Sequence, residues 1–283
     1  MKAIEFRRIL CPINFGDASR RTVEGASILA AMYDAELRLF HVVSSDTSRC
    51  DAESLIASLF ALTRTLPART RVSAALAHGD PSSEIVQHAR LMRADLVVLG
   101  SEHRSSPAEV RRAIVADIAT RAGCPVLHVR PHFLPSLSNK APGFAEIVCC
   151  VDATFDARRR DDYARALALR GSSRVTLLNV ADVEEDRSES APDAATDMNA
   201  DRSVVHVSLT GEPGPEIVAL ARRIQADLIV VGTQDEASLA QGLTSTTAHV
   251  VVHAPCPVLI VPRAPDVLQM TSRALQNEIT IAD

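Results

Sequence analysis

The stretch GDPSSEIVQHARLMRADLVVLGS, Gly79 to Ser101, returns as GEPGPEIVALARRIQADLIVVGT, Gly211 to Thr233. The offset is 211 − 79 = 132 residues. It holds again from Asp95 to Asp227, from Gly100 to Gly232 and from Cys124 to Cys256. Inside each copy, apolar residues at helical spacing lead into a short run, DLVVLG or DLIVVG. That run is nearly continuously apolar, as a parallel strand covered on both faces is. Internal repetition decides the architecture before any single motif does.

Outward from this stretch the repeat continues. RILCPIN ends at Asn14 and EIVCCVD at Asp152; ELRLFHVV ends at Val43 and RVTLLNVA at Ala181. Both offsets are 138, so the second half lacks six residues between its second and third strands. There the first half carries DAESLIASLFALTRTL, whose apolar spacing of three and four predicts a covering helix. The second half carries an acidic stretch, 182–201, with no apolar stripe, which predicts a flexible loop.

Each half alternates strands with helices, the helices including Ser19 to Tyr33, Ser83 to Arg93 and Val110 to Ala122. The predicted class is α/β: two tandem doubly wound five-stranded parallel sheets of Rossmann-like type. The boundaries read as a first domain over 1–131 and a linker over 132–144, rich in Pro, Gly and Ser. A second domain follows over 145–262, then a tail over 263–283 with one short helix.

Composition narrows the function. Of 283 residues, 47% are hydrophobic and only 3% aromatic, so the cores are aliphatic. Net charge is −5. Neither a basic field nor a set of stacking platforms is present, which argues against nucleic acid as a partner. No apolar run reaches the length of a membrane span. The first residues lack the apolar segment of a secretory signal. A cytoplasmic protein is expected. Six Cys lie at 11, 50, 124, 149, 150 and 256 without any C-x-x-C pair. They read as small buried hydrophobes, and no metal is expected.

Taken in order, ILCPINFGDASRRTVEGASILAAMYDAELRLFHVV, HGDPSSEIVQHARLMRADLVVLGS and GCPVLHV resemble the universal stress protein family. The second half is similar through VDATFDARRR, GEPGPEIVALARRIQADLIVVGT and APCPVLIV. The resemblance spans nearly all of both halves and leaves out the linker, the acidic loop and the tail. It implies a tandem universal stress protein with an adenine nucleotide alpha-hydrolase-like fold. The implied role is stress-response binding or regulation, not catalysis. In this family the fifth strands commonly pair about a two-fold axis, so CPVLHV and CPVLIV are expected to form an internal pseudo-dimer. Homodimerisation through these domains and an unidentified protein partner are further implications.

The family has a branch that binds adenine nucleotides and one that does not bind ATP. The binding branch carries Asp at the end of the first strand and G-x-x-G-(nine residues)-G-[ST] after the fourth. The physical logic is general. Open α/β sheets bind ligands beyond the carboxyl ends of their strands, where the strand order reverses. Glycines let backbone amides approach phosphate, and a helix N-terminus adds its dipole.

In the first half Asn14 stands where the family has Asp. Gly100 and Ser101 are kept, and His103 replaces the second Gly. Arg112 and Ala113 stand in place of the final Gly-[ST], in a loop one residue short. A side chain obstructs where the backbone must come close. Arg104, Arg111 and Arg112 offer either phosphate contacts or an ordinary solvated helix face.

The second half keeps Asp152, Gly232 and Thr233, with Asp235 at the second Gly and Thr244 and Ser245 at the last pair. Two readings stand. Hydroxyls and helix amides ligate phosphate, or Ser and Thr simply cap a helix. Asp152 likewise is a ribose acceptor or a cap. Asp235 repels a triphosphate unless a metal intervenes. Val42 and Val180 match the family's backbone contacts to adenine. If ATP, ADP or AMP with Mg²⁺ binds, the second half is the expected site. His41 and His78 read as strand-end packing or surface residues. G-x-S-x-G, P-loop and H-E-x-x-H motifs are absent, and no hydrolytic triad is visible.

Overall fold

The computed structural model of the chain describes residues 4–15, 17–43, 49–64, 66, 70–100, 108–129, 143–151, 157–168, 173–181, 204–233 and 245–263. Residues 130–142, the acidic stretch 182–201 and the tail from 264 lie outside them. In chain order the first half holds β1 (Arg8–Pro12), α1 (Asp17–Tyr33), β2 (Glu36–Val43), α2 (Arg49–Thr63) and β3 (Arg71–His78). It continues with α3 (Pro81–Leu91), β4 (Leu96–Gly100), α4 (Ala108–Arg121) and β5 (Val126–Val129). The second half holds β6 (Glu146–Cys150), α5 (Ala157–Leu167), β7 (Arg174–Ala181) and β8 (Val204–Thr210). After them come α6 (Pro213–Arg223), β9 (Leu228–Gly232), α7 (Ser245–His253) and β10 (Val258–Val261).

The two expected five-stranded parallel sheets join edge to edge through their fifth strands, as the pseudo-dimer expectation requires, into one ten-stranded sheet. Strand order is β3-β2-β1-β4-β5-β10-β9-β6-β7-β8. Pairing is parallel everywhere except at the centre, where β5 meets β10 antiparallel. There Val126 faces Ile260, Leu127 faces Leu259 and His128 faces Val258. Since 127 + 132 = 259, the pseudo-two-fold axis passes between the two leucines.

Strand alternation divides the apolar side chains between two layers. One holds Leu10, Phe40, Val97, Val126, Val148, Ile229 and Ile260 under α3, α4, α6 and α7. The other holds Ile9, Leu39, Val98, Leu127, Val175, Val230 and Leu259 under α1, α2 and α5. Both layers cross the seam. Aromatic contacts reinforce the second: Phe6 meets Tyr33 edge-on at 5.0 Å and stacks on Tyr163 at 6.1 Å. The Tyr33 hydroxyl donates to the carbonyl of Ala166 at 2.7 Å.

The six-residue deficit leaves the sheet register intact. Val43 faces His78 in the first half, and Ala181 faces Thr210 in the second. What changes is the cover. Val72, Ala74 and Leu76 of β3 pack in the layer that includes Leu59 of α2. At the same places β8 carries Val204, His206 and Ser208, with His206 and Ser208 exposed. The strand face is polar in the half whose sequence predicts no covering helix.

The repeated ADL motif has a structural task. Asp95 Oδ2 accepts the backbone amides of Arg7 and Arg8, each at 2.9 Å. Asp227 Oδ2 accepts those of Ala145 and Glu146, at 2.9 and 3.1 Å. These bonds clamp β1 to β4 and β6 to β9, the strand pairs at which the order reverses.

Candidate functional site

In each half the order reverses between β1 and β4, or between β6 and β9, so the crevice for a ligand opens at their carboxyl ends. Asn14 and Gly100 stand there in the first half, Gly232 and Thr233 in the second. Ser101, His103, Asp152, Asp235 and Thr244 lie outside the described residues. Ser245 is the first residue of α7.

In the first half the polar groups serve the fold. The Ser19 hydroxyl donates to Asn14 Oδ1 at 2.8 Å, and the Asn14 amide donates to Ser19 Oγ at 3.2 Å. Ser19 lies in the first turn of α1, so this reciprocal pair ties the strand end to the helix start, as capping does. Next to it Phe15 adopts φ 61°, a left-handed conformation uncommon for an aromatic residue. Its ring meets His41 at 4.8 Å, and His41 Nδ1 bonds the carbonyl of Ile13 at 2.7 Å. His41 is therefore strand-end packing. Val42 and Val180 both turn toward the layer under α3 and α6.

In the second half Thr233 Oγ1 accepts the amide of Arg263 at 3.2 Å, and its own amide donates to Val261 at 3.1 Å. It links the ends of β9 and β10. In α7, Thr247 donates to the carbonyl of Gly232 at 2.8 Å and is buried. It ties α7 to β9.

Arg160 is the residue that sequence reasoning missed. It is 3% exposed, in the first turn of α5. A Cβ placed on Gly232 would lie 2.5 Å from its Nη1 and 3.3 Å from its Cδ. The guanidinium therefore packs directly on the backbone at the end of β9, in space that a side chain at position 232 would need. The sequence held a signal. Arg160, Ala164 and Leu167 form an i, i+4, i+7 stripe and are the buried positions of α5. Thr22 stands at the matching place in the first half, 138 residues earlier, and is also buried.

A cleft of about 260 Å³ opens at the opposite end of the strands, lined by Phe6, Asp95, Cys124 and Tyr163 among others. Burial pushes the Cys124 thiol up to about 12, with the Asp95 charge adding to the shift. Cys149 is raised as well, again mainly by burial. Burial thus favours the protonated thiol over the nucleophilic thiolate at both positions. Among the described residues no group of three metal-ligating side chains exists. Nor is any described helix long and apolar enough to cross a membrane.

A family model described as the universal stress protein family matches residues 5–130 and 143–262. Among solved structures, a universal stress protein from Archaeoglobus fulgidus DSM 4304 is similar at TM-score 0.72 and 16% identity, covering 93% of this chain and 99% of that one. A functionally unknown protein from Pseudomonas aeruginosa PAO1 is similar at TM-score 0.62 and 16% identity, covering 91% and 92%. A universal stress protein in complex with cAMP is 23% identical at TM-score 0.39, and covers 45% of this chain and 98% of its own. No curated protein matches.

Proposed function

The chain belongs to the universal stress protein family, and on that premise we propose that it is a stress-response binding or regulatory protein that works without catalysis and without ATP. The observation that carries this is the use of the crevice groups. Asn14, Thr233 and Thr247 all make bonds inside the protein, and Arg160 fills the space over Gly232. A cytoplasmic setting and a protein partner belong to the same proposal. So do the domain limits 1–131 and 145–262.

A second reading is an adenine-nucleotide-binding regulator with one site in the second half. Its residues are Asp152, Val180, Gly232, Thr233, Thr244 and Ser245, with Mg²⁺ beside the phosphates. The observation in its favour is again Arg160, which brings a fixed positive charge to the end of β9.

Calorimetry with ATP and Mg²⁺ on the full chain separates the two. The first reading expects no saturable heat and no thermal shift at millimolar ATP, because a ligand far above its Kd must stabilise the fold. Saturable binding that Asp152→Ala abolishes overturns it in favour of the second. A nucleotide released from the purified protein by denaturation, and identified by mass, does the same.

A further inference from the structure

His249 and His253 stand one turn apart on α7, with ring centroids 4.4 Å apart and planes tilted by 40°. Side chains at i and i+4 share a helix face. Two imidazoles so placed are a familiar half of a zinc site. Zn–N bonds of about 2.0–2.1 Å at a tetrahedral angle put two ligating nitrogens about 3.3 Å apart. Rings with centroids 4.4 Å apart must turn outward about their side-chain torsions to reach that geometry.

The surroundings favour a cation. His253 is exposed and His249 half-buried, so solvent reaches the pair from one side. They occupy the last two turns of α7, toward the negative end of the helix dipole. Gly214 holds His249 in place from below: a Cβ there would lie 2.9 Å from the His249 Cβ, so α6 approaches as only glycine permits. The opposing charge is Arg222, whose Nη2 donates to the carbonyl of His253 at 3.3 Å.

The first half supplies an internal comparison. Its matching positions, 132 residues earlier, hold Asp117 and Arg121, ion-paired at 2.6 Å. Ser82 replaces Gly214 and donates to Asp117 at 2.6 Å. One half satisfies this helix face with its own charges. The other presents two nitrogen ligands in the same place.

We propose that His249 and His253 chelate a borderline divalent cation of the zinc type through one imidazole nitrogen each. Water completes the coordination. No third His, Cys, Asp or Glu joins them among the described residues, which makes this an open surface chelate and not a closed structural centre. Hard cations such as Mg²⁺ prefer oxygen ligands and do not compete.

The test is calorimetric titration of the full chain with Zn²⁺, repeated in His249→Ala and His253→Gln. His253 is exposed, so its variant keeps the fold, which an unchanged Tm without metal verifies. Each variant is expected to bind at least about tenfold more weakly at this site, since even loss of an outer-shell partner costs that much. Mg²⁺ at the same concentration is expected to leave the Zn²⁺ isotherm unaltered. Absence of saturable Zn²⁺ binding in the natural chain overturns the proposal. So does binding that both variants leave unchanged, which would place the metal elsewhere, for instance on the acidic stretch 182–201.

Discussion

Leu127 lies directly opposite Leu259 in the β5–β10 ladder, and the two are the same position of the repeat. Both are almost fully buried. Truncating either to Ala removes the same contacts from opposite sides of one axis. Leu127→Ala and Leu259→Ala should each cost roughly 2–5 kcal/mol, and by similar amounts. Cutting the chain after 131 strips β5 of its partner and leaves an open apolar edge. The isolated first half should sediment as a dimer or aggregate. A well-behaved monomer would contradict the seam.

His88 stacks on Phe40 with centroids 4.2 Å apart and planes 16° from parallel. Its buried Nε2 has no hydrogen-bond partner among the described residues. Burial holds its pKa below the ordinary histidine value; the Arg38 charge adds to this and Glu84 opposes it. The unfolded chain therefore binds a proton more readily than the native one. Stability is full above about pH 6.5 and falls as pH drops from there toward the lowered native value. Leu220 is the matching residue of the second half. His88→Leu should flatten the decline in Tm between about pH 7 and pH 5. An unchanged acid limb in thermal scans would rule this out.

Asp80 and Glu212 precede α3 and α6 at matching positions, but only one caps. Asp80 accepts the amide of Ser83 at 2.9 Å, whereas Glu212 makes no side-chain cap bond. Asp80→Ala should cost about 1 kcal/mol and Glu212→Ala little. The Ser83 amide is also the main cause of the lowered pKa of Asp80. Its contribution is present above the ordinary carboxylate range and is lost as pH falls through the lowered native value. Urea titrations of the two variants at neutral and acid pH provide the comparison.

Gly232 and Arg160 are coupled by contact. Gly232→Ala sets a Cβ against the buried guanidinium and should cost roughly 1–3 kcal/mol. In an Arg160→Ala background that penalty should shrink, leaving a clear interaction energy in a double-mutant cycle. Additive effects would mean that the close approach does not constrain position 232.

Much of this fold was legible because the chain states it twice. The offsets of 132 and 138 predict the order of elements in both halves, and the register at Val43–His78 and Ala181–Thr210 follows the same arithmetic. Helix ends differed by one or two residues, as at α3, which starts at Pro81 and not Ser83. The site was less legible. Motif spacing pointed to Asn14 and Gly232, but not to what would occupy them. Arg160 looked like one of three successive arginines, and only its place on the apolar stripe marked it as buried. Thr233 matched the family's loop with two readings open, because a hydroxyl that caps and one that ligates have the same letter. The internal bonds of Thr233 and Thr247 run between separate elements, and local sequence does not carry such contacts.

The fused seam has a consequence for how its residues can vary. In an isologous homodimer every substitution is made twice, once on each side of the axis, and both must be accommodated together. Here His128 faces Val258 while Ile260 faces Val126. A homodimer of the first half would instead bring two copies of His128 to the axis. Joining the halves in one polypeptide lets a buried imidazole enter a single time, with an isoleucine as its symmetry mate. The interface keeps the geometry of a symmetric pair without being bound to symmetric chemistry.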